Sequence, residues 1–160
     1  MIGYGATFVV ATLSGGLQVH DISGFATTLT TSDVDTCVGV SHYRNGTAIV
    51  VWVVATKGTY YRYLYEDGAA GRTFGSIGIP TSALSLQVVA DNYRGTAYAH
   101  ITYMNSDDIF YVRIIKSTVE APVTIYNTGF AAGKPQIDCN GDTVGITWQV
   151  DEGGNLHMLS

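Results

Sequence analysis

The chain has 160 residues, 46% of them apolar and only 13% charged, with a formal charge of −5. That length allows one ordinary domain with a real core, and so low a charged fraction excludes a disordered chain. Eight Lys and Arg scattered singly give no basic stripe for a nucleic acid, and no apolar run is long enough to span a membrane.

Eleven Tyr, nineteen Gly and abundant Thr and Val favour strands joined by tight turns. Apolar residues nowhere recur at helical spacing over three turns, which argues against helices. The first ten residues place no positive charge ahead of their apolar run, so they do not read as a signal peptide. Cys37 and Cys139 are too few for a disulfide framework and lack metal-ligand spacing, and they read as buried thiols.

Taken in chain order, the predicted elements repeat. Strands at 8–12, 17–22 and 25–30 form a first copy, with Ser14-Gly15-Gly16 as its hairpin turn. A second copy has strands at 37–42, 48–55, 60–65 and 73–77. Its turns are Tyr43-Arg44-Asn45-Gly46-Thr47 and Thr56-Lys57-Gly58. The third copy runs from 86–90 through Tyr93-Arg94-Gly95-Thr96 to Tyr103, then Asn105-Ser106-Asp107-Asp108, 109–115 and 123–126. The fourth has 135–139, the turn Asn140-Gly141-Asp142, Gly145 to Trp148, the turn Asp151-Glu152-Gly153-Gly154, and 155–159.

Phe8, Trp52, Tyr103 and Trp148 hold corresponding places, 44, 51 and 45 residues apart. A unit of four antiparallel strands in about 45 residues has the size of a propeller blade. Residues 48–55 are apolar on both faces, as a strand covered on both sides must be, whereas a β-sandwich strand alternates. The fold expected is therefore all-β and β-propeller-like, with about three and a half to four blades and a β-sandwich as the alternative. Residues 1–160 form one propeller or partial-propeller domain in this reading. Fourteen strands leave the first copy without its first strand and the last without its fourth. Unpaired edges of that kind predict a homo-oligomer or the remainder of a longer propeller as partner.

The blade plan resembles the β-propellers built from sialidase-type, or Asp-box, blades. Their signature turn is Ser-x-Asp-x-Gly-x-Thr-Trp, and the nearest segment runs from Asp67 to Phe74. Gly71, Thr73 and Phe74 match its Gly, Thr and Trp, while Ala69 stands where the Asp belongs, which makes it a degenerate copy. Sialic-acid-cleaving members use three arginines, a Tyr-Glu pair and an Asp acid. Those roles do not transfer to Arg44, Arg62, Arg94 or Arg113, whose strand positions differ, so the expectation is a chain that is not an enzyme.

Candidate ligand-binding residues are Trp52, Tyr103 and Trp148, and, in the turns that share a propeller face, Lys57, Asp107, Asp108, Asp151 and Glu152. Carboxylates there suit sugar hydroxyls or a cation, though ordinary turn chemistry also places them. Asp33 and Asp35 flank Val34 and could act as an acid–base pair, against a plain solvated loop. His20, His42, His100 and His157 are scattered and read as structural or surface residues, with no metal and no cofactor. Tyr61, Tyr63 and Tyr65 share one strand face, either as a stacking platform or packed on the next blade with hydroxyls in water. Asn45-Gly46-Thr47 is a sequon that matters only in a secretory setting.

The functional expectation is a non-enzymatic binding or assembly module recognising glycan or protein. By fold analogy it would be a virion or cell-surface component. The alternatives are a sialidase-like glycosidase propeller with its catalytic set incomplete in this chain, and a purely structural decoration protein.

Overall fold

The structure, a computed structural model, describes residues 9–13, 16–20, 26–30, 38–42, 47–54, 57–64, 70–75, 77–127, 129, 131–140, 143–152 and 155–159. These form strands, turns and connections, with no helix among them. The strands build four separate antiparallel sheets in chain order.

The first sheet joins β1 (Val9–Leu13), β2 (Gly16–His20) and β3 (Ala26–Thr30). The second runs β4 (Val38–His42), β5 (Ala48–Val54), β6 (Gly58–Leu64) and β7 (Ala70–Gly75). In the third, β8 (Leu84–Tyr93), β9 (Thr96–Asn105) and β10 (Asp108–Ile115) follow one another. Two short strands, β11 (Thr118–Val119) and β12 (Val123–Tyr126), share the outer edge of β10. The fourth contains β13 (Ala131–Ala132), β14 (Gln136–Asn140), β15 (Thr143–Glu152) and β16 (Asn155–Leu159). There β13 and β14 are one interrupted strand along β15, bridged where the Gly133 N–H donates to the Gln149 carbonyl at 2.7 Å.

The first strands of three successive sheets are neighbours: β8 lies against β4 and also against β14. Between the second and third sheets, Ile49, Val51 and Val53 of β5 pack with Ala99, Ile101 and Tyr103 of β9 and with Leu86 and Ala90 of β8. All seven positions of β5 are buried, so the missing alternation in its sequence does reflect cover on both faces. Between the third and fourth sheets, Ile109 and Tyr126 meet Trp148 and Val150. The second, third and fourth sheets stacked in series replace the two facing sheets of the sandwich alternative.

Every strand read from the sequence has a counterpart, with adjustments. Sixteen strands stand among the described residues instead of fourteen, because β11 and β13 carry too few residues to leave a pattern. The third copy's first strand runs on through Asp91 to Tyr93, since hairpin pairing continues to Tyr93 opposite Thr96. That hairpin closes on Arg94 and Gly95, both at positive φ as its two-residue turn requires. Cys139 is half-buried, which corrects the buried reading, and Cys37 lies outside the described residues.

Candidate functional site

One end of the stack gathers the turns between second and third strands. The β5–β6 turn closes where the Lys57 N–H donates to the Val54 carbonyl at 2.9 Å, and Gly58 follows at φ 118°, a value that a side chain would strain. The β9–β10 turn is two residues, Ser106 and Asp107, with Ser106 in the left-handed region. The connection from β7 to β8 is fastened to this end. Thr59 Oγ1 donates to the Ile79 carbonyl at 2.9 Å, and Ser82 Oγ donates to Asn105 Oδ1 at 2.7 Å. At the start of β8, Ser85 has φ 53° and the register slips between Leu84 and Gln87. Such a bulge re-aims the side chains beside it, and Leu84 is left 46% exposed.

Of the residues singled out in sequence, Lys57, Asp107 and Asp151 are exposed and Asp108 partly so. Glu152 ends β15, paired with Asn155 across the last hairpin. All five therefore lie at this one end, each on the turn or strand end of its own sheet. The aromatics do not join them at the surface. Trp52, Tyr103 and Trp148 are 1%, 2% and 8% exposed, with Tyr103 turned toward the second sheet and Trp148 toward the third. Trp52 stacks on Tyr60 at 6.0 Å between ring centres and Tyr103 on Phe110 at 5.2 Å. A sugar could stack on the buried faces of these rings only by displacing a neighbouring sheet. Trp148 also sits two residues further from its hairpin than Trp52 and Tyr103 do from theirs. Burial pushes the Tyr103 phenol up to about 12.

The tyrosine face of β6 packs on the third sheet, and its hydroxyls reach backbone where water was expected. Tyr61 meets Tyr63 edge-on, and the two donate to the carbonyls of Ser117 and Lys116 in the β10–β11 turn. Tyr65, Asp33 and Asp35 lie outside the described residues. Among the described residues, no three His, Cys, Asp or Glu side chains converge as a metal would need.

Sequence reasoning missed a buried polar layer on the face of the third sheet that meets the fourth. His100 and Thr102 are fully buried and Asp91 nearly so. The His100 ring lies between those of Tyr98 and Tyr111, with Nδ1 2.7 Å from the Tyr111 hydroxyl. Thr102 Oγ1 donates to the Phe110 carbonyl at 2.9 Å. Outside them Arg113 grips Glu120 through two hydrogen bonds of 2.9 and 2.8 Å. Those bonds hold the Glu120 carboxyl below the usual carboxylate range. The signal was present in the alternation Tyr98, His100, Thr102, Met104, which a strand places on one face.

With this geometry the chain superposes on known structures. It matches the NanB sialidase of Streptococcus pneumoniae, with a chlorobenzylammonio ethanesulfonate bound, at a TM-score of 0.64 and 9% identity, over 94% of this chain and 27% of that one. A point mutant of the same enzyme gives 0.62 at 11% identity over the same shares. The chain thus spans about a quarter of the length of these neighbours. No protein-family model matches it, and no curated protein matches it in sequence. At these identities the likeness is one of fold, and the fold is distantly sialidase-like. The expectation of a non-enzymatic chain is corrected accordingly: both neighbours are enzymes, and no described residue argues for a role without catalysis.

Proposed function

We propose that this chain is a run of three and a half to four blades of a sialidase-type propeller. In this reading it engages saccharide as part of a glycosidase, at the end bearing Lys57, Asp107, Asp108, Asp151 and Glu152. The observation that carries the reading is superposition over 94% of the chain. The exposure of Lys57, Asp107 and Asp151 at one end of the stack supports the place. Carboxylates and an ammonium there offer acceptors and donors to sugar hydroxyls. Gly71, Thr73 and Phe74, all in β7, are then the remnant of an Asp-box. The edges of β1 and β16 that have no partner among the described residues receive strands from the rest of a longer propeller or from a second copy.

A glycan array and a panel of aryl glycosides test this reading. Binding or turnover that falls about tenfold or more in the Asp107→Asn, Asp108→Asn double variant supports it. A folded chain that neither binds nor cleaves any member of either panel contradicts it.

A further inference from the structure

His100 is fully buried in the face that the third sheet turns to the fourth. Its ring lies between those of Tyr98 and Tyr111, each 6.1 Å away centre to centre and within 9° and 17° of parallel. Nδ1 meets the Tyr111 hydroxyl at 2.7 Å. Burial above all pushes the Tyr111 phenol up, with Arg113 opposing and Glu120 and Cys139 adding, so Tyr111 stays a hydroxyl at neutral pH.

Titratable and charged groups face this ring from the strands around it. Register places Asp91 of β8 opposite Tyr98, one pair along from His100, and Asp91 is 4% exposed. Arg113 of β10 stands directly opposite His100 and donates to both Glu120 oxygens, at 2.9 and 2.8 Å. From the fourth sheet, Cys139 of β14 shares the side of Ile137 and Ile146, and Ile146 packs beside Trp148. Towards the turn end the face passes into Ile109 and Tyr126. Arg113 and Glu120 offset each other at the ring, which leaves the layer with the charge of Asp91. A carboxylate so buried is kept by a counter-charge. Phenol faces on both sides of an imidazole, negative by their quadrupole, favour its cation as well.

We propose that His100 carries a proton in the folded chain at neutral pH, as counter-charge to Asp91, and that losing it in mild alkali loosens the seam between the third and fourth sheets. The seam is then a pH-sensitive joint, independent of the saccharide reading. The unfolded chain releases a histidine proton near pH ~6.5, while the folded chain holds this one to higher pH. The stabilisation is full below that value and drains away as pH rises through the folded chain's own titration. That window lies below the one in which Tyr61 and Tyr103 act.

Imidazole nitrogen shifts of the whole chain, assigned through bonds from each histidine's backbone, report the proton on His100, and urea unfolding reports its effect. At pH ~7 both His100 nitrogens should carry hydrogen. The folded-to-unfolded ratio should fall about tenfold between pH ~6.5 and ~8.5. His100→Asn and Asp91→Asn should each remove most of that fall, with His20, His42 and His157 left in place. A His100 ring that is neutral at pH ~7, or a ratio that does not fall over the window, overturns the proposal. So does a fall that both variants keep, since another histidine then owns it. If either variant fails to fold, the nitrogen titration of the unsubstituted chain decides alone.

Discussion

On one side of the third sheet, Ala99, Ile101 and Tyr103 of β9 meet Ile49, Val51 and Val53 of β5 in a continuous apolar layer. On the other side the alternate residues of the same strand, His100 and Thr102, face the fourth sheet among hydrogen-bonded partners. Cover differs as well: β5 is buried throughout, whereas β14 alternates between exposed and half-buried positions. One strand thus serves two seams of different physics. The apolar seam draws on burial, which grows with area and needs no exact geometry. The other seam adds buried polar groups to its apolar cluster, and these stabilise it only while each keeps its partner.

The largest difference should come from cutting the apolar seam. Ile101→Ala removes a fully buried side chain and should cost about 2–5 kcal/mol in urea unfolding. A loss near zero would mean that this seam does not hold the sheets together.

Alkali should strike the same seam. Burial, then the neighbouring Tyr63, pushes the Tyr61 phenol up to about 12, and burial alone does so for Tyr103. The unfolded chain gives up these protons near pH 10 while the folded chain holds them, so the stabilisation is full below pH 10. It drains away as pH rises toward about 12. Stability measured against alkaline pH should fall over that window, and less so in Tyr103→Phe.

Across the strand, Tyr111→Phe deprives His100 Nδ1 of its bonded hydroxyl and should cost about 1–3 kcal/mol. A double-mutant cycle with His100→Ala should return a coupling near 1 kcal/mol, and additivity would remove the hydrogen bond from the account. Smallest of all, Glu120→Gln breaks a pair whose side chains are 33% and 40% exposed and should cost under ~1 kcal/mol, less in high salt. The Glu120 carboxyl is held low in the folded chain, so its contribution is present above the unfolded value and lost as pH falls through the folded one.

How much of this was legible in sequence follows from the range of each interaction. Strand positions were legible because hairpins are local: Gly58, Gly95 and Ser106 mark turns whose backbone conformation their own residues decide. Apolar cover on both faces could be read from 48–55 for the same reason. The targets of Tyr61 and Tyr63 could not, since the carbonyls they reach lie 56 and 53 residues on, in another sheet. His100 looked isolated because its partners Tyr111 and Tyr98 become neighbours only through pairing and alternation. At the candidate site, turn carboxylates could be named from sequence. The exposed Leu84 could not, because a bulge at Ser85 sets its direction.

Native-state hydrogen exchange at low denaturant tests the contrast between the seams most directly. Amides in the β14–β15 ladder should exchange through openings of lower free energy than those of β5 and β9, because the fourth sheet packs on the third across a partly polar face. If β5 and β9 exchange together with β14 and β15, or ahead of them, the two seams are equivalent and the account is wrong.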